Sequence, residues 1–353
     1  MRNKFLSISL LISLLAWQGA QAVEVAKLDE ADVQVGSRSA SERDSAVREA
    51  LALVLVKNSG SAAVLEHPLI RQQLSSASAL LRQYSYLEKE RQLYVHASFD
   101  QARIVSLLRD AQLPVWGKQR PLTLMWLVVE RDGERALLAD QGESVQRQLL
   151  MQAAENAGIP VLLPLMDLDD LMQVSVNSVR GMFVDEVMTA TNRYQSDFFV
   201  LANMEAAGET VNYQLSLYSR PREGETLPPQ ALLSQQGSAA SEDQAMSALL
   251  SLLSSFYVEK YAVTSTGESQ LSELTFVGIN KLADLVSLEA FLGQLSVVKS
   301  VSLKQMAADK VTFNLSLFGT REDLDRLLNL EGKISRLDSL QDEQANTYQW
   351  RGQ

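Results

Sequence analysis

Cysteine is absent from all 353 residues. That excludes a disulfide framework, a thiolate metal site and a lipid anchor attached through a thiol. Histidine is scarce: His67 and His96 are the only two, and they form no HExxH or comparable ligand spacing. His96 falls on the polar face of a strand pattern and His67 precedes Pro68 at a helix start, so both read as surface or capping residues. No G-x-S-x-G elbow, no G-x-x-x-x-G-K-[ST] loop and no G-x-G-x-x-G turn after a strand occurs. The usual signatures of a serine hydrolase and of nucleotide binding are therefore missing. No apolar run reaches the roughly 20 residues that span a bilayer.

What is present begins with residues 1–22. Arg2 and Lys4 precede an apolar run from Phe5 to Leu15, and Ala20-Gln21-Ala22 fits the small-x-small pattern of a leader cleavage site. The expectation is a signal peptide cleaved near Ala22-Val23, delivery to the periplasm, and no transmembrane helix in the mature chain. Loss of Arg2 and Lys4 with the leader takes the formal charge from -11 to -13. Such a field repels phosphate backbones, so nucleic acid is not expected as a partner.

Hydrophobic residues make up 46% of the chain, enough for two or three self-supporting cores. Three modules follow from the periodicities, giving a mixed α+β and α/β fold. The first, 23–117, reads strand, two helices, two strands, helix, a βααββα order. Ser41-x-x-Asp44 is a capping signal, Asn58-Ser59-Gly60 a helix stop, and His67-Pro68 a helix start. Leu93, Val95, Ala97 and Phe99 alternate with polar neighbours as a half-buried strand does.

The central module, 118–266, opens on the apolar run Leu122 to Val129, suited to a strand covered on both faces. A polar loop, a helix ending at Gly158, a second parallel strand (Val161 to Leu165), a helix over about Val179 to Tyr194 and a third buried strand (Phe198 to Ala202) follow. An antiparallel strand from Val211 to Leu217 and an edge strand near Leu227 to Gln235 complete a mixed sheet, and Ser241 caps a closing helix.

A Ser-Thr-Gly linker, Thr264 to Gln270, leads to a third module, 271–337, in the βαββαβ order of the ferredoxin-like plan. Thr320-x-x-Asp323 caps its second helix. The tail, 338–353, is polar and is expected to be flexible.

The candidate chemistry is sparse. Asp167, Asp169 and Asp170 follow the strand Val161 to Leu165, where open α/β sheets collect ligands. They can hold a divalent cation or act as acid and base; the competing reading is that Asp167 caps a short helix whose positive end favours the other two. Asp197 is a further carboxylate that can join them. Trp116, Trp126 and Arg120 mark the junction of the first two modules, as domain glue or as a platform for a ligand. Tyr84 and Tyr86 share one face of a strand, as edge packing or as a binding stripe.

The helix Arg43 to Lys57, Leu113-Pro114-Val115-Trp116-Gly117 with Arg120-Pro121, Trp126-Leu127-Val128 and Leu162-Leu163-Pro164-Leu165-Met166-Asp167-Leu168 occur in this order. As a set they resemble the DUF2066 family of secreted proteobacterial proteins of unknown function, over most of 23–263, with a looser fit in the third module. The resemblance implies export and architecture and supplies no catalytic residue. The second module is also similar to the amino-terminal domain of TolB, and the first to amino-terminal domains of flagellar-assembly and related envelope proteins, which implies binding of other proteins.

The expectation is a non-catalytic periplasmic protein that binds other cell-envelope proteins, without cofactor or metal. The alternatives are a divalent-metal-dependent hydrolase built on Asp167, Asp169 and Asp170, or a glycan or small-ligand site at the inter-module cleft lined by Trp116 and Arg120.

Overall fold

One long helix organises the first module in the computed structural model, which describes residues 23–24, 27–89, 91–131, 133–220, 227–265, 267, 269–330, 333–337 and 346–351. The expected leader, 1–22, lies outside the described residues. β1 (Val23–Glu24) and β2 (Glu30–Val35) precede α1 (Ala40–Ser59). The cap is Ser39, whose Oγ accepts the Glu42 N–H at 3.3 Å, and not Ser41. Glu42 decides this, because its carboxylate also accepts the Gly36 and Ser37 N–H groups, both at 2.7 Å, and so closes the loop before the helix. Gly60 ends α1 in the left-handed conformation (φ 73°).

α2 (Pro68–Ser75) follows, with Pro68 in its first turn and His67 at the N-cap. β3 (Leu81–Lys89) and β4 (Gln92–Phe99) form the expected hairpin, and Asp100 caps α3 (Gln101–Asp110). The antiparallel sheet runs β2-β4-β3. Leu51, Val54, Phe99, Ile104 and Leu108 fill the core between it and the helices.

The central module contains β5 (Gln119–Arg120), β6 (Thr123–Arg131), β7 (Glu134–Leu137), α4 (Val145–Ala157), β8 (Val161–Leu162), α5 (Leu168–Gln173), α6 (Val176–Arg180), α7 (Val184–Thr191), β9 (Phe198–Ala207), β10 (Thr210–Ser219), β11 (Leu233–Ala239) and α8 (Glu242–Tyr261). The sheet order is β11-β10-β9-β6-β7, with β8 beside the start of β6. β5 pairs with β1 instead. β6 is central and covered on both faces: Met125 and Leu127 pack under α4 and α8, while Leu124, Trp126 and Val128 pack under α6 and α7.

Three expectations change here. The polar loop after β6 holds β7, a short antiparallel return. β7 pairs with β6 from Val128 to Arg131 and β8 only with Thr123 and Leu124, so the second parallel strand is cut to two residues, ahead of Pro164, which has no N–H to continue a ladder. The single helix over 179–194 is broken into α6, α7 and a 3-10 turn, because Gly181 and Met182, the latter at φ 56°, reverse the chain between them.

The third module comprises β12 (Gln270–Val277), α9 (Leu282–Gln294), β13 (Val298–Ala307), β14 (Lys310–Leu317), α10 (Arg321–Asn329), β15 (Ile334–Arg336) and β16 (Thr347–Trp350). Thr320 and Asp323 form the capping box of α10. The order β13-β14-β12-β16-β15 is the ferredoxin-like plan with one strand added. β16 comes from the expected flexible tail. It pairs parallel to β12 and antiparallel to β15, entering between them. Burial explains the correction: Tyr348 and Trp350 alternate inward, and Tyr348 stacks on Phe276 at 5.7 Å while its hydroxyl donates to Asp325 at 2.8 Å. Residues 338–345, 352 and 353 lie outside the described residues.

The central and third modules share one continuous apolar core. Leu249, Leu253, Tyr257 and Val263 of the former belong to the same cluster as Leu274, Phe276, Leu315 and Leu328 of the latter. Tyr348→Ala therefore removes a buried ring and a hydrogen bond from a shared core. The expected loss is about 3–5 kcal/mol in urea unfolding monitored by circular dichroism.

Candidate functional site

The acidic cluster is a structural clamp. Asp167 is the N-cap of α5, with Oδ1 accepting the Asp170 N–H at 3.1 Å. Arg193 then reaches over from the turn after α7 and donates to Asp167 Oδ1 and Oδ2 at 2.7 and 2.6 Å and to Asp170 Oδ1 at 3.1 Å. Asp170 is fully buried. Its other oxygen accepts from the Met166 N–H at 2.9 Å and from the Tyr194 hydroxyl. The Arg193 guanidinium holds the Asp167 carboxyl down to about 2, and burial pushes the Tyr194 phenol up to about 12.

The sequence alternative was a cation or acid-base site at Asp167, Asp169 and Asp170. Two of the three carboxylates are spent on an arginine, a tyrosine and backbone amides, and Asp169 sits in the first turn of α5. Asp197 has other partners: it accepts the Leu122 N–H at 2.7 Å, and burial raises its pKa. His96 pairs with Asp32 across β2 and β4 at 2.7 Å, and His67 caps α2. Among the described residues, no three His, Asp or Glu side chains gather as a metal ion would require. Tyr84 and Tyr86 meet edge to face, with the Arg43 and Arg38 guanidinium groups over their rings.

Trp116 and Arg120 do belong to the junction, but as its interior. Both are fully buried. Among the described residues Arg120 has no carboxylate partner. It donates from Nε to Gly117 O (2.9 Å), from Nη1 to Gly158 O (2.7 Å) and Ala157 O (3.5 Å), and from Nη2 to Lys57 O (2.7 Å) and Trp116 O (3.1 Å). These carbonyls include the C-terminal ends of α1 and α4, where the helix dipole is negative. The guanidinium also lies 3.9 Å from the centre of the Trp116 ring. Burial pushes the Arg120 pKa down to about 9, which still leaves a cation at neutral pH. All five N–H groups of Arg120, expected in the sequence to line a ligand cleft, are committed to backbone carbonyls. Trp126 points to the opposite face of the sheet and donates to Thr191 Oγ1 at 3.0 Å.

Next to this joint is a cleft of about 580 Å3 between α3 of the first module and the end of α9 in the third, floored by 115–118. That volume lies in the range that holds small ligands. Its apolar lining includes Val105, Val115, Leu295 and Phe318. Four lining residues carry buried polar atoms with no hydrogen-bond partner: Gln101 Oε1, Arg109 Nη1, Trp116 Nε1 and Ser296 Oγ. Buried polar groups are ordinarily satisfied, so such a concentration at one cavity marks a place built to receive something. Sequence reasoning reached Trp116 but not Gln101, Arg109 or Ser296. They lie up to 195 positions apart in the chain, Gln101 to Ser296, and no local pattern joins them.

Residues 22–117 match the family model "Domain of unknown function (DUF8605)", and residues 271–351 match the DUF2066 family model. The DUF2066 match thus falls on the third module with β16, while the stretch that carried the resemblance in the sequence is matched in its first part by the other model. No curated protein and no solved structure matches the chain.

Two outcomes are expected. Arg120→Leu leaves several buried carbonyls unpaired and should cost at least about 3 kcal/mol in denaturant unfolding. Gly158→Ala should act in the same direction, since a Cβ there would stand 2.3 Å from Arg120 Nη1 at a residue with φ 65°. Asp167, lowered when folded, stabilises above the unfolded carboxyl pKa of about 3.9, and that contribution disappears as pH falls toward about 2. In acid titrations at low salt, Asp167→Asn should flatten the stability profile in that window, and added salt should shrink the difference because the pair faces solvent.

Proposed function

We propose that this chain is an exported, non-catalytic binding protein of the cell envelope, and that it recognises its ligand in the cleft between the first and third modules. The observation that carries the reading is the group of four unpartnered buried polar atoms around an apolar cavity. The leader-like residues 1–22 and the absence of familiar catalytic motifs support the location and the class of activity. The clamp at Asp167 and Asp170 supports a structural use of the one acidic cluster that resembled a reactive site.

A cleft built from two modules is also a site whose shape responds to how they meet. α3 supplies one wall and the chain from α9 to Phe318 the other. The joint between them is stitched by Arg109 Nη2 donating to Ser296 O at 2.9 Å. A ligand seated there would bridge the two and stabilise the folded protein by mass action.

The test is thermal unfolding of the full mature chain in a small-molecule extract of the cell envelope, beside a Val105→Trp variant that fills the cavity. The unmodified protein should gain several degrees and the variant should not. Equal responses would remove the cleft from the account. Intact-mass measurement of the exported protein should give a chain beginning at Val23; a chain retaining Met1 in the cytosol would remove the envelope.

A further inference from the structure

Arg109 is the unusual residue of this cleft. It lies in the last turn of α3, its guanidinium is 3.3 Å from the centre of the Phe318 ring, and no carboxylate among the described residues pairs with it. One nitrogen, Nη2, holds Ser296 O; the other, Nη1, is buried without a partner. The side chain as a whole is half-buried, and a buried N–H without an acceptor is costly unless something else compensates it. Ser296 is itself buried, and its hydroxyl has no partner either.

The charge around the cavity is one-sided. Among the described residues that line it none is acidic, in a chain with a formal charge of -11, while Arg109 lines it. Lys299 lies 6.0 Å from the Phe318 ring that forms part of the wall. The unpartnered buried atoms of its lining residues are mostly donors: a guanidinium N–H, the Trp116 indole N–H and the Ser296 hydroxyl, beside one acceptor-only atom, Gln101 Oε1. The remaining surface is mostly apolar.

We propose that the cleft takes a small monoanion, a carboxylate carried on an apolar body, with Arg109 as its anchor and Ser296 and Trp116 as supporting donors. This rests on the reading of the cleft as the binding site. A guanidinium with a neighbouring hydroxyl recognises a carboxylate through charge-assisted hydrogen bonds. The apolar body packs against Val105, Leu295 and Phe318. The charge is limited to one because Asn58 and Gln294, near the negative C-terminal ends of α1 and α9, also border the cavity.

Calorimetric titration of the full mature chain with octanoate, octanamide and octylamine tests this. Octanoate should bind roughly tenfold or more tightly than octanamide, and octylamine least, since only the carboxylate pairs with the cation. Arg109→Gln should bring octanoate down to about the affinity of octanamide. Ser296→Ala, which removes one hydroxyl and little packing, should weaken octanoate by a few-fold and serves where Arg109→Gln does not fold. Octanamide or octylamine binding as tightly as octanoate would overturn the proposal, as would no octanoate binding at millimolar concentration. In either case, a thermal shift with envelope extract that Val105→Trp abolishes would leave the cleft standing as the site and remove only its anionic ligand.

Discussion

A buried cation, Arg120, with no carboxylate partner among the described residues, joins the first module to the second. Arg120 enters the interior from a two-residue strand and satisfies itself on backbone carbonyls, several of them at the ends of α1 and α4. Helix C-termini carry unsatisfied carbonyls and a partial negative charge, so one guanidinium there answers both needs. Because α1 belongs to the first module and α4 to the second, the same group sets where the two meet. Gly158 stays without a side chain because the guanidinium occupies that space. Neighbouring contacts extend the joint: Trp116 N–H to Asn58 O at 2.7 Å, paired bonds between Val115 and Val263 at 2.9 Å, and Ser254 Oγ to Gly60 O at 2.9 Å.

The third module is attached by a different physical means. It shares an apolar core with the central module, and β16 closes its sheet from the far end of the chain. The first and third modules are thereby brought face to face through their separate attachments to the second. Their meeting surface is not filled like a core. It leaves the cleft beside Trp116, and in it the polar atoms that neither attachment uses. Placing the binding reading there ties the candidate site to the least saturated part of an otherwise well-satisfied interior.

Much of the fold was legible because it depends on local chemistry. Gly60 and Gly158 as left-handed helix stops, Pro68 in a first turn, and Asp100, Ser241 and Thr320 as caps are all short-range features. The alternation in β4 and the apolar run of β6 likewise report burial one residue at a time. What escaped was decided by competition between distant segments. The polar loop after β6 returns as β7 because its residues find the far end of that strand, and the polar-looking tail becomes β16 because Tyr348 finds Phe276. Of the candidate site, Trp116 was visible as an aromatic at a junction. Arg109 was one basic residue in a helix's last turn, indistinguishable there from an ordinary dipole partner.

The amino-acid order alone determined most of the sequence of helices and strands, the acidic balance and the exclusion of thiol chemistry, because composition and periodicity act within a few residues of each other. Only the tertiary structure decided what the charged groups do. It turned Asp167 and Asp170 from a candidate reactive cluster into a clamp around Arg193, committed Arg120 to the interior, and left Arg109 with an unpaired nitrogen. The reason is that a charge's role depends on which partners and how much water surround it, and those come from segments far apart in the chain.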